Sequence, residues 1–314
     1  MAGRKNLRIY YRAAGHVPLW KVMEEGGFLE KHGLEMDLSS MEGLRRRAME
    51  GLRAGEVDII SGNHHNLYAR RALHGEPFVH IAQGDDNYWG AHWMVAGKGI
   101  ARLEDLRGKR VVMDNFAGHN GLNVWLYLRQ HGLEEGKDVE LVDGDKRTLD
   151  RVRKVIAGEQ DATFVGFLDH VRAKAQGANV VEVPTMPMIS GVTITTTTTF
   201  VSRHAEEAQN LLLALIDAIH FFKTRRQETM AIIKRTCWDL LRLRSDEELA
   251  LYYEHKADSL EPKPYPTVEA IQNVFALALK LKPEIKDFHP LALWDLHHLR
   301  RIDDSGYIDR LYAL

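Results

Sequence analysis

Four histidines and one aspartate lie where the sequence predicts polar loops, and their side chains are suited to proton transfer. His16, His64, His65 and His119 each follow or end a short apolar run, and Asp85 comes at the end of another. Imidazole titrates near neutral pH, so these groups can act as general acid and base, or hydrogen-bond a bound molecule. We take His64, His65, His119 and Asp85 as candidate catalytic residues and leave both uses open.

A metal or cofactor site is not expected. His64 and His65 are adjacent, so on an extended segment they point to opposite sides and do not chelate one ion together. The single cysteine, Cys237, rules out an intrachain disulfide and a zinc site built from cysteines. No phosphate-binding loop, dinucleotide fingerprint or nucleophile-elbow motif occurs in the sequence.

The elements that must position these residues are predicted to be βαβ units, because short apolar runs alternate with amphipathic stretches through the first two thirds of the chain. Ligands of open α/β sheets bind beyond the carboxyl ends of the strands, where loops lead into helix N-termini. Four such loops and one nearby tryptophan supply the candidate ligand-binding residues: Arg12, His16, Ser61, Gly62, Asn63, Asn115, Phe116, Gly118, Asn120, Gly166, Phe167 and Trp89. Arg12 favours an anionic ligand group or is a surface charge, and Trp89 stacks on a planar ligand or packs in a core.

The periodicity also predicts the order of the elements. Strands are expected over residues 7–11, 34–38, 57–60, 79–82, 110–113, 139–142, 163–165, 180–183 and 192–200. The last of these is rich in β-branched threonine, which favours strands. From residue 204 onward the chain is predicted to be mostly helical, with helices at about 205–223, 226–243, 246–258, 268–281 and 290–300.

One short pattern occurs twice. Ala54–Asp58 and Ala157–Asp161 both read Ala-Gly-Glu-x-Asp, and each follows a basic amphipathic stretch and precedes a predicted strand. Because the context matches on both sides, the repeat predicts two lobes of similar construction.

Composition limits the possible partners. The 314 residues carry a formal net charge of −2, which argues against a nucleic-acid partner held by a broad basic surface. No apolar run approaches the roughly 18 residues of a membrane-spanning helix, so membrane insertion is not expected. The N-terminus has no apolar stretch of signal-peptide length, so we expect a cytoplasmic protein, periplasmic only if a signal peptide has been removed.

Four segments in order carry a family resemblance: residues 16–36, the strand entry at 54–63, the Asp-Leu-Arg-Gly-Lys segment within 103–113, and residues 157–166. Together they resemble the NMT1/THI5-like group of substrate-binding proteins, for sulfonate, nitrate and thiamine precursors, within the type II periplasmic-binding-protein superfamily. The resemblance implies an α/β fold with mixed sheets, two lobes (1–86 plus 197–314, and 87–196), a ligand cleft between them and a helical C-terminal region. The crossing strands of the hinge would lie near 83–87 and in 193–200, which makes the threonine run a hinge strand with one face in water.

Two functions follow from the resemblance. The first is binding of a small anionic or heteroaromatic molecule in the cleft, as in solute-binding proteins of ABC transporters, with an ABC permease as partner if the chain is exported. The alternative is a cytoplasmic enzyme on the same scaffold. It would be a metal-independent lyase or decarboxylase whose cleft histidines act as acid and base on a small carboxylated aromatic substrate.

Overall fold

The structure is a computed structural model that describes residues 5–62 and 64–313, and it divides into two compact units. The first unit contains the described residues up to Asn87, then Ile189–Ile271 and the chain from Glu284 onward. The second contains Tyr88–Met188 and Gln272–Pro283. The short C-terminal segment in the second unit was not expected from the sequence patterns.

Five strands form the sheet of the first unit: β1 (Lys5–Tyr11), β2 (Leu34–Ser40), β3 (Ile59–Ser61), β4 (Phe78–Gln83) and β10 (Thr193–Thr197). Their order is β2-β1-β3-β10-β4, with β1 parallel to both neighbours and β10 antiparallel to both of its own. Leu7 and Ile9 of β1 are fully buried whereas Asn6 and Arg8 are exposed, so one face of this strand packs in the core.

The second unit has a sheet of its own, formed by β5 (Trp93–Ala96), β6 (Lys109–Met113), β7 (Val139–Asp143), β8 (Ala162–Val165) and β9 (Asn179–Glu182). The order is β7-β6-β8-β5-β9, and β5 runs antiparallel to β8 and β9. The position of β5 in this sheet therefore matches that of β10 in the first. The expected mixed α/β fold with two lobes is confirmed, although the short strand β5 was not predicted.

Fifteen α-helices surround the strands in the described part of the chain: α1 (Val17–Glu25), α2 (Phe28–Lys31), α3 (Arg45–Ala54), α4 (Asn66–His74), α5 (His119–Gln130), α6 (Thr148–Ile156), α7 (Phe167–Ala175), α8 (Thr198–Arg203), α9 (Ala205–Thr224), α10 (Arg226–Thr236), α11 (Trp238–Leu241), α12 (Asp246–Ser259), α13 (Val268–Leu281), α14 (His297–Asp304) and α15 (Tyr307–Tyr312). None of the helices in residues 5–62 and 64–313 is long and apolar enough to cross a membrane.

The repeated Ala-Gly-Glu-x-Asp pattern marks the same structural junction in both units. Its glycines, Gly55 and Gly158, both have φ of +76° and follow α3 and α6, where a left-handed residue ends a helix. Its aspartates then face the neighbouring strand. Asp58 Oδ2 accepts the backbone N–H of Arg8 at 2.9 Å, and Asp161 Oδ2 accepts that of Arg110 at 2.9 Å. The prediction of two similarly built lobes is confirmed by this equivalence.

The threonine run differs from its prediction in two ways. The strand ends at Thr197, whose hydroxyl accepts the backbone N–H of Phe200 at 3.1 Å and thereby caps helix α8. All five residues of β10 are buried between β3 and β4, so the expectation of one face in water was wrong. The chain has already returned to the first unit at Ile189, and the strand is a central member of that unit's sheet.

The C-terminal region contains another correction. A continuous helix over 290–300 was predicted, but Pro290–Leu293 is a 3₁₀ turn and α14 begins only at His297. Between them Trp294 pairs in parallel with His80 of β4, and the N–H of Asp295 donates to the carbonyl of His80 at 2.9 Å. This short pairing covers the edge strand of the first sheet, which would otherwise expose unpaired backbone groups.

Candidate functional site

The carbonyl oxygen of Ser61 organises the candidate site of the first unit. Strands β1 and β3 are parallel and end in register, with Tyr11 opposite Ser61, so the loops that follow them start side by side. The backbone N–H of Arg12 donates to the Ser61 carbonyl at 3.1 Å. Nδ1 of His16 lies 3.2 Å from the same oxygen. The structure therefore brings together Arg12, His16 and Ser61, as the sequence predicted.

His16 is held as a neutral imidazole of one tautomer. Both oxygens of Ser61 face Nδ1 of His16, the carbonyl at 3.2 Å and the hydroxyl at 3.5 Å. Because the nearer carbonyl oxygen can only accept, this contact favours the tautomer with the proton on Nδ1 and a lone pair on Nε2. Burial lowers the pKa of His16 to about 4, against the opposing effect of the Asp85 carboxylate; the charges of Lys256 and Arg12 lower it further. At neutral pH this side chain is therefore a hydrogen-bond acceptor through Nε2.

Gly62 is required by the position of His16. Its φ is +80°, in the left-handed region, and a Cβ placed on it would lie 1.8 Å from Cε1 of the His16 ring. Only glycine combines this backbone conformation with so close an approach of an imidazole. Asn63, the next residue of the predicted set, lies outside the described residues.

The paired histidines precede helix α4 and are both buried. His65 is the N-cap residue of α4, and His64 comes directly before it. Burial and the nearby positive charge of Arg12 lower the pKa of His65 to about 4. Arg12 thus acts electrostatically on both His16 and His65, which places these three side chains in one neighbourhood.

Asp85 is tied to other parts of the first unit through both carboxylate oxygens. Oδ1 forms an ion pair with Nζ of Lys256 on α12, and Oδ2 accepts the backbone N–H of Val192 at 2.7 Å. Both charged side chains are less than a tenth exposed. The carboxylate also packs against Gly191, whose φ is +64°, so that a Cβ there would lie 1.7 Å from Oδ2. These contacts give Asp85 a structural role, and its proposed catalytic use remains a prediction.

A cavity of about 380 Å³ opens at the carboxyl ends of β1 and β2. Its lining comprises Tyr11, Arg12, Ala14, Ser40, Met41, Glu42 and Leu240. The volume lies near the lower end of the range of small-molecule pockets, about 300–1,000 Å³. Of the residues predicted to bind a ligand, Arg12 lines this cavity, and the carboxylate of Glu42 is a lining group outside the predicted set.

The predicted loop after β6 forms a compact turn in the second unit. Oδ1 of Asn115 accepts the N–H of Ala117 at 2.9 Å, and its carbonyl accepts the N–H of Gly118 at 3.1 Å. The N–H of Phe116 donates to Asp143 Oδ1 at 2.7 Å. Gly118 is the N-cap of α5, so His119 and Asn120 lie in its first turn. The structure therefore groups this part of the predicted set within one loop and helix start.

The aromatic candidates of the second unit have partners within that unit. Gly166 is the N-cap of α7, and the ring of Phe167 meets Trp93 edge-on with 5.7 Å between centroids. Trp89 is 1% exposed and packs against Tyr127 and Phe164, at centroid distances of 5.1 and 5.4 Å. Its contacts are those of a core residue, the second of the two roles considered for it.

Comparison with known proteins identifies the family. The fold is that of periplasmic solute-binding proteins: the aliphatic sulphonate binding protein SsuA from Escherichia coli superposes with a TM-score of 0.66 at 18% identity, covering 89% of this chain and 87% of that one. The sulfonate-binding protein SsuA from Methylobacillus flagellatus KT gives a TM-score of 0.72 at 14% identity, covering 98% and 97%. The nitrate-binding protein NrtA from Synechocystis PCC 6803 gives 0.65 at 13%, covering 96% and 89%.

The sequence itself matches the family described as NMT1/THI5 like over residues 15–229. This chain belongs to the NMT1/THI5-like family, as its four sequence segments predicted. None of the curated proteins matches it.

Proposed function

We propose that this chain binds a small organic acid, with Arg12 as the charge that attracts the acid group. The main support is the cavity of about 380 Å³ that Arg12 lines at the carboxyl end of β1. Solute-binding proteins of the same fold are named for sulfonate and nitrate, which are small anions. The predicted loops of the second unit, Asn115–Asn120 and Gly166–Phe167, are proposed as further ligand contacts, and an ABC permease as the partner.

The state of the titratable groups favours binding over acid–base catalysis. With pKa values of about 4, His16 and His65 are almost entirely neutral at pH 7, and neutral imidazole is a poor proton donor. Asp85 is engaged by Lys256 and by the backbone of Val192. A neutral imidazole and a fixed ion pair suit a site that holds a ligand in one orientation.

Thermal denaturation with matched pairs of ligands tests this function. Each pair consists of an acid and its uncharged amide, such as propanoate with propanamide and ethanesulfonate with ethanesulfonamide. An acid that binds only the folded state raises Tm, and the increase grows with the logarithm of its concentration relative to its dissociation constant. We expect at least one acid series to raise Tm while its amides do not. Equal shifts with acid and amide, or no shift with any acid, would overturn the proposal.

A further inference from the structure

We propose that the second unit contains an acid-sensitive joint between β5 and α7, formed by the stacked rings of His92, Trp93 and His170. Trp93 is the first residue of β5, His92 directly precedes it, and His170 lies on α7. Both imidazoles stack on the indole ring of Trp93, with 4.0 Å between the centroids of His92 and Trp93 and 4.4 Å between those of His170 and Trp93. The interplanar angle of the second pair is only 9°, so the ring of His170 lies nearly flat on the indole.

The stack is buried in the core of the second unit. Trp93 is 6% exposed and His170 is 8% exposed. The ring of Phe167, at the start of α7, meets His170 edge-on with 5.2 Å between centroids and meets Trp93 as well. Val152 and Val155 of α6 belong to the same hydrophobic cluster as Trp93. Because His170 and Trp93 lie on different elements, their contact holds α7 against β5.

The surroundings of the stack favour neutral rings. Burial lowers the pKa of both imidazoles below the usual value of 6.5, so both are mainly neutral at pH 7. Lys174, one turn after His170 on α7, lowers the pKa of His170 further, and the carboxylate of Glu182 on β9 opposes these effects. Glu182 acts in the same direction on His92. A proton on His92 also lowers the pKa of His170, so the two rings do not favour being charged together.

The other charges on the elements packed here do not compensate a proton on His170. Asp169, next to it on α7, has Oδ1 3.8 Å from Nη1 of Arg172, within ion-pair distance. From α6, Arg151 interacts electrostatically with Asp169, and the side chains of α6 that pack with Trp93 are apolar. The opposing effect of the β9 carboxylate is smaller than that of burial, so the charged form of His170 is disfavoured in the stack.

Acid therefore favours states in which His170 leaves the stack. The folded chain binds a proton at His170 less readily than an open state whose imidazole reaches water. The stability of the joint is thus full well above pH 6.5 and decreases as the pH falls through that value. Leaving the indole removes the contact of α7 with β5, and Phe167 at the start of the helix moves with it. Any ligand contact made by Phe167 would weaken in acid for the same reason.

Hydrogen–deuterium exchange of the full chain at pH 7.5 and pH 5.5 tests the joint without any ligand. The exchange rates are corrected for their intrinsic dependence on pH, so that the protection factors of the α7 amides report opening of the helix. We expect these protection factors to fall by roughly threefold to tenfold at pH 5.5, tenfold being the limit for one imidazole with an open-state pKa of 6.5. Equal protection of α7 at both pH values in wild type would overturn the proposal.

Two variants separate His170 from the other titrating groups. His170→Phe keeps an aromatic ring on Trp93 and removes the group that gains the proton, so the acid effect on α7 should disappear. His131→Phe is the matched control, since His131 is an exposed histidine of the same unit, and it should behave as wild type. An acid effect of equal size in His170→Phe and wild type would overturn the proposal.

NMR titration of the imidazole Cε1–H signal measures His170 in wild type and does not depend on the folding of any variant. The signal, assigned through its nuclear Overhauser contacts with the Trp93 ring, should titrate below pH 6.5. A His170 pKa of 6.5 or above in the folded chain would overturn the proposal, because acid would then stabilise the stack.

Discussion

Nδ1 of His16 lies 3.2 Å from the carbonyl oxygen of Ser61, which lies at the end of β3. The contact favours the tautomer with the proton on Nδ1 and joins the loop after β1 to the end of β3. Because Arg12 donates its backbone N–H to the same oxygen, one carbonyl holds both the backbone of Arg12 and the ring of His16.

The close packing of Gly62 on His16 predicts that Gly62→Ala is costly. A Cβ would lie 1.8 Å from the ring and the residue would keep a left-handed φ of +80°, so the imidazole must move. We expect a loss of more than about 2 kcal/mol in the free energy of unfolding, measured by urea denaturation. Gly33→Ala is the matched control, since Gly33 has φ of +73° and nothing within 4 Å of its Cβ position. Equal losses in both variants would show that the His16 contact is unimportant.

Because Asp85 and Lys256 form a buried ion pair, the stability effects of substituting the two residues should not be additive. Lys256→Met leaves the Asp85 carboxylate buried without its cation, which costs on the order of 3–5 kcal/mol. Adding Asp85→Asn removes the charge and keeps an oxygen for the Val192 N–H, so the double variant should regain much of that loss. Chemical denaturation of the two single variants and the double variant gives the coupling energy. Simple additivity would contradict the interpretation of the ion pair.

Replacing the equivalent aspartates of the two units, Asp58 and Asp161, is predicted to lower the free energy of unfolding by unequal amounts. Asp58 and Asp161 each accept a strand N–H at 2.9 Å, but the Asp58 side chain is 7% exposed and that of Asp161 is 33% exposed. Asp58 also receives two side-chain hydrogen bonds from Arg8. Asp58→Ala should therefore destabilise the chain more than Asp161→Ala, by about 1–2 kcal/mol. Denaturation curves of the two variants decide this, and a larger cost at Asp161 would refute it.

The buried histidines predict a pH dependence of stability. Their folded pKa values, about 4 for His16 and His65, lie below the unfolded value of 6.5. Between these values the unfolded chain binds more protons than the folded one, so stability falls as pH decreases from about 6.5 to about 4. His16→Phe removes one of these groups and should make the decline shallower, whereas the exposed control His74→Phe should not. Urea denaturation at several pH values measures the slope, and the same slope in His16→Phe and wild type would contradict the assignment.

Much of the fold was accessible from the sequence because its strands are short apolar runs bounded by turn residues. Strand β1 and helix α13 were predicted close to their observed limits, since hydrophobic periodicity marks each of them clearly. Helix α8 was missed because its threonines favour a strand. The helix forms because the Thr197 hydroxyl accepts the backbone N–H of Phe200 and caps its first turn. Strand β5 was missed, although β8 and β9 are equally short and were predicted.

The candidate site was predictable only in part. The grouping of Arg12, His16 and Ser61 was predictable because parallel strands bring their carboxyl ends together. Lys256 was not, because it lies 171 residues from Asp85 and no local pattern links the two. No sequence pattern marks Glu42, and only the three-dimensional structure shows that it lines a cavity with Arg12.

The most direct test of acid binding at Arg12 is calorimetric titration of wild type, Arg12→Met and Arg53→Met with the acid that raises the wild-type Tm most. Arg53 is an exposed arginine on α3 of the same unit and serves as the control. We expect wild type and Arg53→Met to bind with equal affinity, and Arg12→Met to bind at least about tenfold more weakly, as expected for a lost charged hydrogen bond. An unchanged affinity in a folded Arg12→Met protein would contradict the account.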